Sequence, residues 1–180
     1  MTFRLRRVVT GHDAAGRSIV QDDRLLPETS RAGVWFTGPG PARNQWNDPI
    51  TSHPKKLEPP RGGTTFRIVE SPPLSAMPKL SEAERLKRIH DAFAAMEATH
   101  TLVESDHHPG MHRSKTLDYM VLLEGEVTLI LDEGEVTLHP GDVVVQRGTS
   151  HSWENRGSKP AKWVMIMVDA EPLSLGGHAR

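Results

Sequence analysis

Residues 112–155, HRSKTLDYMVLLEGEVTLILDEGEVTLHPGDVVVQRGTSHSWEN, decide the fold of this chain. They divide into short runs in which apolar and polar residues alternate, as at 126–131, and Gly-containing turns at 132–134 and 139–142 separate these runs. An alternation with a period of two is typical of a strand with one buried face. Together with the apolar run at 162–168, the pattern predicts six short strands in an antiparallel sandwich or barrel.

The first third of the chain adds shorter extended pieces. Apolar and β-branched residues between Gly, Asp and Pro predict strands near 4–10, 18–20 and 34–36, and residues 66–68 predict a fourth. The segment 37–63 holds 10 Pro or Gly among its 27 residues. Because Pro cannot donate a ladder hydrogen bond and Gly weakens a strand, we expect this segment to lie outside the barrel as a loop.

Residues 81–98 carry the one strong helical pattern of the sequence. Ser81 and Glu84 stand at its start with the spacing of a capping box, in which each side chain bonds the other residue's backbone N–H group. Apolar residues recur three or four apart and predict one apolar face, which comprises Leu86, Ile89, Phe93 and Met96.

Composition excludes several classes of protein. The 180 residues suit one domain, and the absence of Cys excludes disulfides, Cys-ligated zinc and iron–sulfur clusters. The 22 Lys and Arg nearly balance 23 Asp and Glu, which argues against a nucleic-acid partner. The longest apolar run, 163–168, is too short to span a membrane. We therefore expect a cytoplasmic protein with neither a nucleic-acid nor a membrane partner.

Two groups of residues with defined spacing carry a resemblance to a known family. Six residues separate Asp118 from Gly125, and three residues separate His112-Arg113-Ser114 from Asp118. This spacing resembles the first signature motif of the cupin superfamily, which runs His-x-His, three or four residues, Glu, six residues, Gly. In this chain Ser114 stands in place of the second His, and Asp118 stands in place of the Glu.

The second motif of the same family has a similar counterpart. Gly141 opens it, and His151 and Asn155 close it with the His-x-x-x-Asn spacing intact. The usual Pro-x-Gly turn is altered to Arg147-Gly148-Thr149. The 15 residues between the motifs, 126–140, match the short spacing of compact cupins.

The resemblance implies an all-β fold, a jelly-roll cupin β-barrel with one amphipathic helix and extra N-terminal strands. It places the N-terminal strands, the loop and the helix in residues 1–100, the conserved barrel in 101–170 and a flexible tail in 171–180. Cupins commonly dimerise through edge strands, which removes exposed edges, so a homodimer is expected.

The resemblance also implies a site inside the barrel, because a closed sheet lets the inward faces of separate strands converge. The predicted metal ligands are His112, His151 and Asp118, a set that suits a divalent transition metal (Fe, Mn, Ni, Cu or Zn). His151 and Trp153 lie two apart in an extended segment, so their side chains share a face. Without metal, the same four residues would line a substrate pocket in which Asp118 acts as a base.

Charged residues next to these motifs leave two interpretations open. Arg147 lies at a strand end near the mouth of the barrel, where it would contact an anionic substrate or remain solvated. His107 and His108 precede a Pro-Gly turn, where charged residues are usually solvated, and the alternative is a ligand or gating role. The predicted catalytic residues are Asp118, Trp153 and Arg147.

For function, the resemblance implies a metal-dependent metabolic enzyme that acts on a small molecule as a dioxygenase, decarboxylase, isomerase or lyase. The alternative is a non-catalytic cupin without metal that binds a small molecule as a sensor or carrier. Fold alone does not decide between these classes.

Overall fold

The computed structural model describes residues 6–12, 17–25, 33–42, 56–106 and 108–172. Within these ranges the strands are β1 (Arg6–His12), β2 (Ser18–Leu25), β3 (Gly33–Thr37), β4 (Thr64–Ser71), β5 (Thr116–Glu124), β6 (Val127–Leu131), β7 (Glu135–Leu138), β8 (Val143–Gln146), β9 (His151–Glu154) and β10 (Ala161–Asp169). The helix α1 spans Glu82–Ala94. Two single-turn 3-10 helices span Leu74–Ala76 and Thr99–Thr101.

Two antiparallel sheets form the barrel. The first contains five strands in the order β3-β4-β10-β5-β8, and the second contains three in the order β7-β6-β9. Strands β1 and β2 pair with each other in a separate sheet. Since β3 and β4 share a sheet with β5, β8 and β10, part of the N-terminal segment builds the barrel itself. The prediction of an all-β jelly roll with one helix is confirmed.

The core lies between the two sheets. In β5 the alternate residues Asp118, Met120 and Leu122 are buried, as a strand with one inward face requires. Apolar residues of β6, β7 and β10 complete the core, namely Val127, Leu138, Trp163, Met165 and Met167. Gly125 follows β5 with a φ of +74°, and a Cβ there would stand 2.6 Å from the Pro160 carbonyl oxygen. The turn that closes the first motif therefore needs glycine.

The helix begins with the predicted capping box. The Glu84 N–H donates to the Ser81 hydroxyl at 3.4 Å, and the Ser81 N–H donates to the Glu84 carboxylate at 2.8 Å. The helix ends at Ala94 rather than at residue 98. Glu97 has a φ of +51°, a left-handed conformation that an α-helix cannot continue.

The apolar face of α1 differs from the predicted one at a single position. Ile89, Phe93 and Met96 are half-buried and face a cavity. Leu86 is 47% exposed and does not line that cavity, so its assignment to the apolar face is wrong. The helix turns Arg85 and Ala92 toward the cavity instead.

The Pro- and Gly-rich segment is described in part. Thr37 is the last residue of β3, so the loop begins one residue later than expected. Residues 38–42 and 56–63 contain no strand, and the rest of the predicted loop, 43–55, lies outside the described residues. Within the described ranges, no helix has the length and apolar character that crossing a membrane requires. The cytoplasmic location stays a prediction.

Candidate functional site

A cavity of about 840 Å³ lies between the barrel and α1. One side of α1 and the turn after it supply six lining residues at helical spacing, namely Arg85, Arg88, Ile89, Ala92, Phe93 and Met96. Apolar residues from the strands line the barrel side, namely Val69, Trp153, Trp163, Met165 and Met167. The helix therefore lies over the interior of the barrel, and the lining of the cavity between helix and barrel is mainly apolar.

His112 and His151 come together in this cavity. They form an antiparallel β-bridge, in which each backbone N–H donates to the other residue's carbonyl at 2.9 and 3.0 Å. Their ring centroids are 4.3 Å apart, and both residues line the cavity. His112 belongs to the first motif and lies just before β5, and His151 belongs to the second motif and begins β9. The bridge therefore brings the two motifs together.

The hydrogen bonds of these rings fix their tautomers. Nδ1 of His112 lies 3.1 Å from the Gly110 carbonyl, and Nδ1 of His151 lies 2.9 Å from the Thr149 carbonyl. A carbonyl only accepts, so each Nδ1 carries the proton and each neutral ring keeps a lone pair on Nε2. Within the described part of the chain, neither Nε2 atom has a hydrogen-bond partner.

Burial keeps both imidazoles neutral. It lowers the pKa of His112, against the opposing effect of the Gly110 carbonyl. The pKa of His151 falls to about 3, mainly because of burial and in part because of the charge that His112 would carry, while the Thr149 carbonyl opposes the shift. At neutral pH the pair therefore offers two uncharged acceptors to the cavity.

Aromatic rings surround the pair from the helix to the far wall of the barrel. Phe93 on α1 meets the His112 ring edge-on, with centroids 5.0 Å apart. His151 meets Trp153 at 5.7 Å, and Trp153 lies 6.1 Å from Trp163. Such contacts hold the rings in place and provide flat surfaces for an apolar ligand.

Asp118 is a buried carboxyl on the barrel side of the same cavity. It is 2% exposed, and its Oδ1 atom has no hydrogen-bond partner. The pKa of Asp118 is raised to about 6, mainly by burial and slightly by the charge of Glu58, while the Thr116 side chain and the charge of Arg67 oppose the rise. The carboxyl can therefore hold or release a proton near neutral pH.

The predicted metal-ligand set does not assemble among these residues. In the described ranges, no group of three or more His, Cys, Asp or Glu side chains is arranged to hold a metal ion. Ser114, at the position of the usual second His, is hydrogen-bonded to Thr116 at 2.7 Å. Catalytic zinc sites use three protein ligands, and the non-haem iron triad uses two His and a carboxylate. Two imidazoles alone do not fit such a centre, and Asp118 does not complete it.

The other predicted site residues divide between the cavity and the surface. Trp153 lines the cavity. Arg147 is exposed and is not among the lining residues, so it does not stand where the sequence placed its substrate contact. His107 lies outside the described residues. Asn155, the last residue of the second motif, donates from its amide to the Ser71 and Lys159 carbonyls at 2.9 Å. Asn155 therefore links the last residue of β4 to the loop between β9 and β10.

A polar cluster that no sequence motif marks lies at the N-terminal end of α1. We call it the Arg85 cluster and define it as Arg85, His108, Glu154 and Arg156. Arg85 and Arg156 approach the Glu154 carboxylate at 3.3 and 2.8 Å. The Gly110 N–H donates to Nδ1 of His108, and burial lowers the His108 pKa. Nε2 of the same ring lies 3.0 Å from the Arg85 guanidinium and 3.4 Å from the Glu154 carboxylate. Arg85 and Glu154 are 69 positions apart in the chain, and no local pattern links them.

The Pro- and Gly-rich loop fastens the other end of the helical segment. The Leu57 N–H donates to the Met96 carbonyl at 3.1 Å, and Lys56 pairs with Glu97 at 2.6 Å. Leu57 also lines the cavity. The covering helix is therefore attached at both ends by contacts with distant segments.

Comparisons with known proteins identify the family of this chain. Residues 99–167 match the cupin domain family. The chain is 32% identical over 174 residues to the phomopsin biosynthesis cluster protein C' of Diaporthe leptostromiformis, a match that covers 95% of this chain and 82% of that protein. It is 42% identical over 67 residues to the cupin-domain-containing oxidoreductase virC of Hypocrea virens. That match covers 35% of this chain and 34% of virC.

Among solved structures, a cupin domain from Bordetella pertussis is similar at 19% identity, with a TM-score of 0.35 and coverage of 59% of this chain and 82% of that chain. The family match includes both motifs and the bridge between His112 and His151. The match to the Diaporthe protein extends over nearly the whole chain. The chain therefore belongs to the cupin superfamily, as a small single-domain member.

Proposed function

We propose that this chain is an enzyme of small-molecule metabolism that binds a mainly apolar organic molecule in the cavity beneath α1. One observation carries the proposal: the buried imidazole of His151 and the half-buried imidazole of His112, both neutral, line a mainly apolar cavity, and neither Nε2 atom has a hydrogen-bond partner within the described structure. The cavity volume of about 840 Å³ lies within the range of small-molecule sites, roughly 300–1,000 Å³.

The His112–His151 pair favours a ligand that carries a hydroxyl or N–H group. An acceptor in apolar surroundings that lacks a donor loses hydrogen-bond energy, and a ligand donor restores it. A molecule with an apolar body and one such group would match both the wall and the imidazoles. Flat aromatic compounds fit best, since Phe93, Trp153 and Trp163 line the same space.

Asp118 favours an enzyme over a sensor or carrier. A carrier has no need of a buried carboxyl that changes protonation near neutral pH, whereas acid–base catalysis does. Among the predicted reaction classes, the residues present therefore support an isomerase or lyase that moves a proton. The donor set gives no support to metal dependence, and the proposal uses no metal.

Names of the related proteins also support a metabolic role. The protein that matches most of this chain is named for a phomopsin biosynthesis cluster, and virC is named an oxidoreductase. These names concern those proteins, and they support enzyme function in the synthesis of small organic molecules for this chain. The reaction proposed here rests on its own cavity residues.

Equilibrium dialysis with β-naphthol and its methyl ether tests the proposed site. The two compounds share an apolar body, and only β-naphthol has an O–H donor for the imidazoles. We expect wild type to bind β-naphthol about five- to tenfold more tightly than the ether, the usual value of one net hydrogen bond. The double variant His112→Phe with His151→Phe keeps two aromatic rings and removes both Nε2 atoms, so it should abolish this preference.

His90→Phe is the matched control, because His90 lies on the exposed side of α1 and does not line the cavity. This variant should retain the wild-type preference. Absence of saturable binding of both compounds would contradict the proposal. Equal affinities in wild type, or an unchanged preference in the double variant, would contradict the role of the histidine pair.

A further inference from the structure

The charged side chains that line the cavity do not balance. Four Lys or Arg residues line it, against three Asp or Glu residues. Arg85 and Arg156 approach the Glu154 carboxylate at 3.3 and 2.8 Å. Lys162 approaches the Glu70 carboxylate at 3.7 Å, and neither Lys162 nor Arg156 is a lining residue. Two lining carboxylates are therefore neutralised in part from outside the cavity, and the lining keeps an excess of positive charge.

This excess lies at the entrance of the cavity, on Lys79 and Arg88, which we call the entrance pair. Arg67 and Asp118 also line the cavity, but they are only 6% and 2% exposed and belong to its interior. Lys79 and Arg88 are exposed lining residues, so they stand where the cavity opens to solvent. Within the described ranges, neither residue forms an ion pair with a carboxylate.

Arg88 keeps most of its hydrogen-bonding capacity available for a ligand. Its Nη2 atom lies 3.9 Å from the Met77 Sδ atom, which is its one hydrogen-bond partner in the described part of the chain. A thioether is a weak acceptor, whereas a guanidinium carries five N–H donors. The contact also puts the guanidinium beside the segment 77–80, which carries Lys79 and lines the cavity.

The surroundings of the entrance pair strengthen its attraction for an anion. Met77 and Leu80 line the cavity on either side of Lys79, and Ile89 lines it next to Arg88. Apolar walls beside charges of one sign concentrate the electric field of those charges. The planar guanidinium matches the two oxygens of a carboxylate, which it binds through two parallel hydrogen bonds.

We propose that the molecule bound in the cavity is a carboxylic acid, and that Arg88 binds its carboxylate at the entrance while Lys79 adds a second positive charge. This inference rests on the proposed function, since it defines the substrate class of the same cavity. The apolar body of the acid lies between α1 and the barrel. Its hydroxyl or N–H group contacts the His112–His151 pair, so the substrate class is an aromatic hydroxy or amino acid.

Equilibrium dialysis at neutral pH with (6-hydroxy-2-naphthyl)acetate and its methyl ester tests this inference. The two compounds share the naphthol body, and only the acid is charged. We expect wild type to bind the acid about five- to tenfold more tightly than the ester. Arg88→Gln keeps a polar side chain without the charge and should reduce this ratio to within about twofold. Higher ionic strength should also reduce the wild-type ratio, because the entrance pair is exposed.

Arg61→Gln is the matched control, since Arg61 is an exposed arginine that does not line the cavity. It should keep the wild-type ratio, and Arg88→Gln should keep the wild-type affinity for β-naphthol. Equal affinities for acid and ester in a protein that binds β-naphthol would overturn this inference and leave the proposed function intact. An unchanged ratio in Arg88→Gln, or an equal loss in Arg61→Gln, would overturn the role of Arg88. Absence of saturable binding of all three compounds would contradict both proposals.

Discussion

Ser114 occupies the position at which the cupin motif usually carries its second histidine. Its side chain lines the cavity and faces the same side as Asp118. An imidazole at this position would share a face with that of His112, two residues earlier, in the geometry by which paired histidines bind metal. One substitution therefore separates the present donor set from a three-histidine set.

We expect Ser114→His to create a metal site with His112 and His151. Calorimetric titration with Zn²⁺ at one pH should show binding more than about tenfold tighter than in wild type, because a third imidazole completes the set. A single pH is needed because protons compete for imidazole nitrogens. The double variant Ser114→His with His112→Ala should lose the gain. Equal affinity in wild type and Ser114→His would show that our interpretation of the donor set is wrong.

For single residues, sequence spacing predicted which side chains lie on the same face but not which hydrogen bonds those side chains form. The two-residue alternation put His112, Ser114 and Asp118 on one face, and the motif paired His112 with His151. The hydrogen-bond partner of Ser114 is the Thr116 hydroxyl, and no motif marks Thr116. Arg147 shows the same limit, because its position in a turn did not determine where its long side chain lies.

The helix α1 is held over the cavity by its ends more than by its apolar face. None of its residues is fully buried, so hydrophobic burial contributes less than in a core helix. The Arg85 cluster attaches the N-terminal end, and the Lys56 and Leu57 contacts attach the C-terminal end. The sequence predicted the capping box because its partners are three residues apart. It could not predict attachments between segments tens of residues apart.

We expect Arg85→Ala to loosen α1 without unfolding the barrel. The Arg85–Glu154 contact is partly exposed, so its loss should cost no more than about 1 kcal/mol. Hydrogen–deuterium exchange measured by mass spectrometry should therefore rise roughly two- to fivefold in α1 and remain unchanged in β5 and β10.

Lys87→Ala is the matched control, since Lys87 pairs with Asp91 within α1 and makes no contact across the cavity. It should change exchange in the helix much less than Arg85→Ala does. Equal effects of the two variants would mean that helix propensity, rather than attachment to Glu154, determines how often α1 opens. An increase across the barrel strands would contradict the local role of the Arg85 cluster.

Across the whole molecule, the strands after residue 115 could be predicted from the sequence, but the order in which strands pair within the sheets could not. Alternation and Gly turns depend on local sequence, and the predicted runs 126–131 and 162–168 lie within a residue of the observed bounds of β6 and β10. Strand β4 pairs with β10, about a hundred residues later in the chain. Such a pairing is selected by packing between distant segments, so residues 1–100 looked like an addition although β3 and β4 are part of the main sheet.

The outer face of the five-stranded sheet exposes apolar residues where β8 forms its edge. Val143 and Val145 on β8 are 64% and 54% exposed. They pair with Val121 and Tyr119 of β5, and Tyr119 is also exposed. An edge strand with exposed apolar side chains is a surface that proteins usually cover. This observation supports the homodimer expected from the sequence, with a second copy of the chain as the partner.

We expect the protein to elute with the mass of two chains in size-exclusion chromatography with light scattering, and Val145→Lys to shift it to the mass of one. The lysine would place a charge in an apolar contact, where no described neighbour on β5 could neutralise it, because Val145 stands opposite Tyr119. Val136→Lys is the control, since Val136 is similarly exposed on β7 of the other sheet, and it should remain dimeric. A wild-type protein with the mass of one chain at micromolar concentration would refute the dimer. Loss of the dimer in Val136→Lys but not in Val145→Lys would instead assign the contact to the three-stranded sheet, away from the β8 edge.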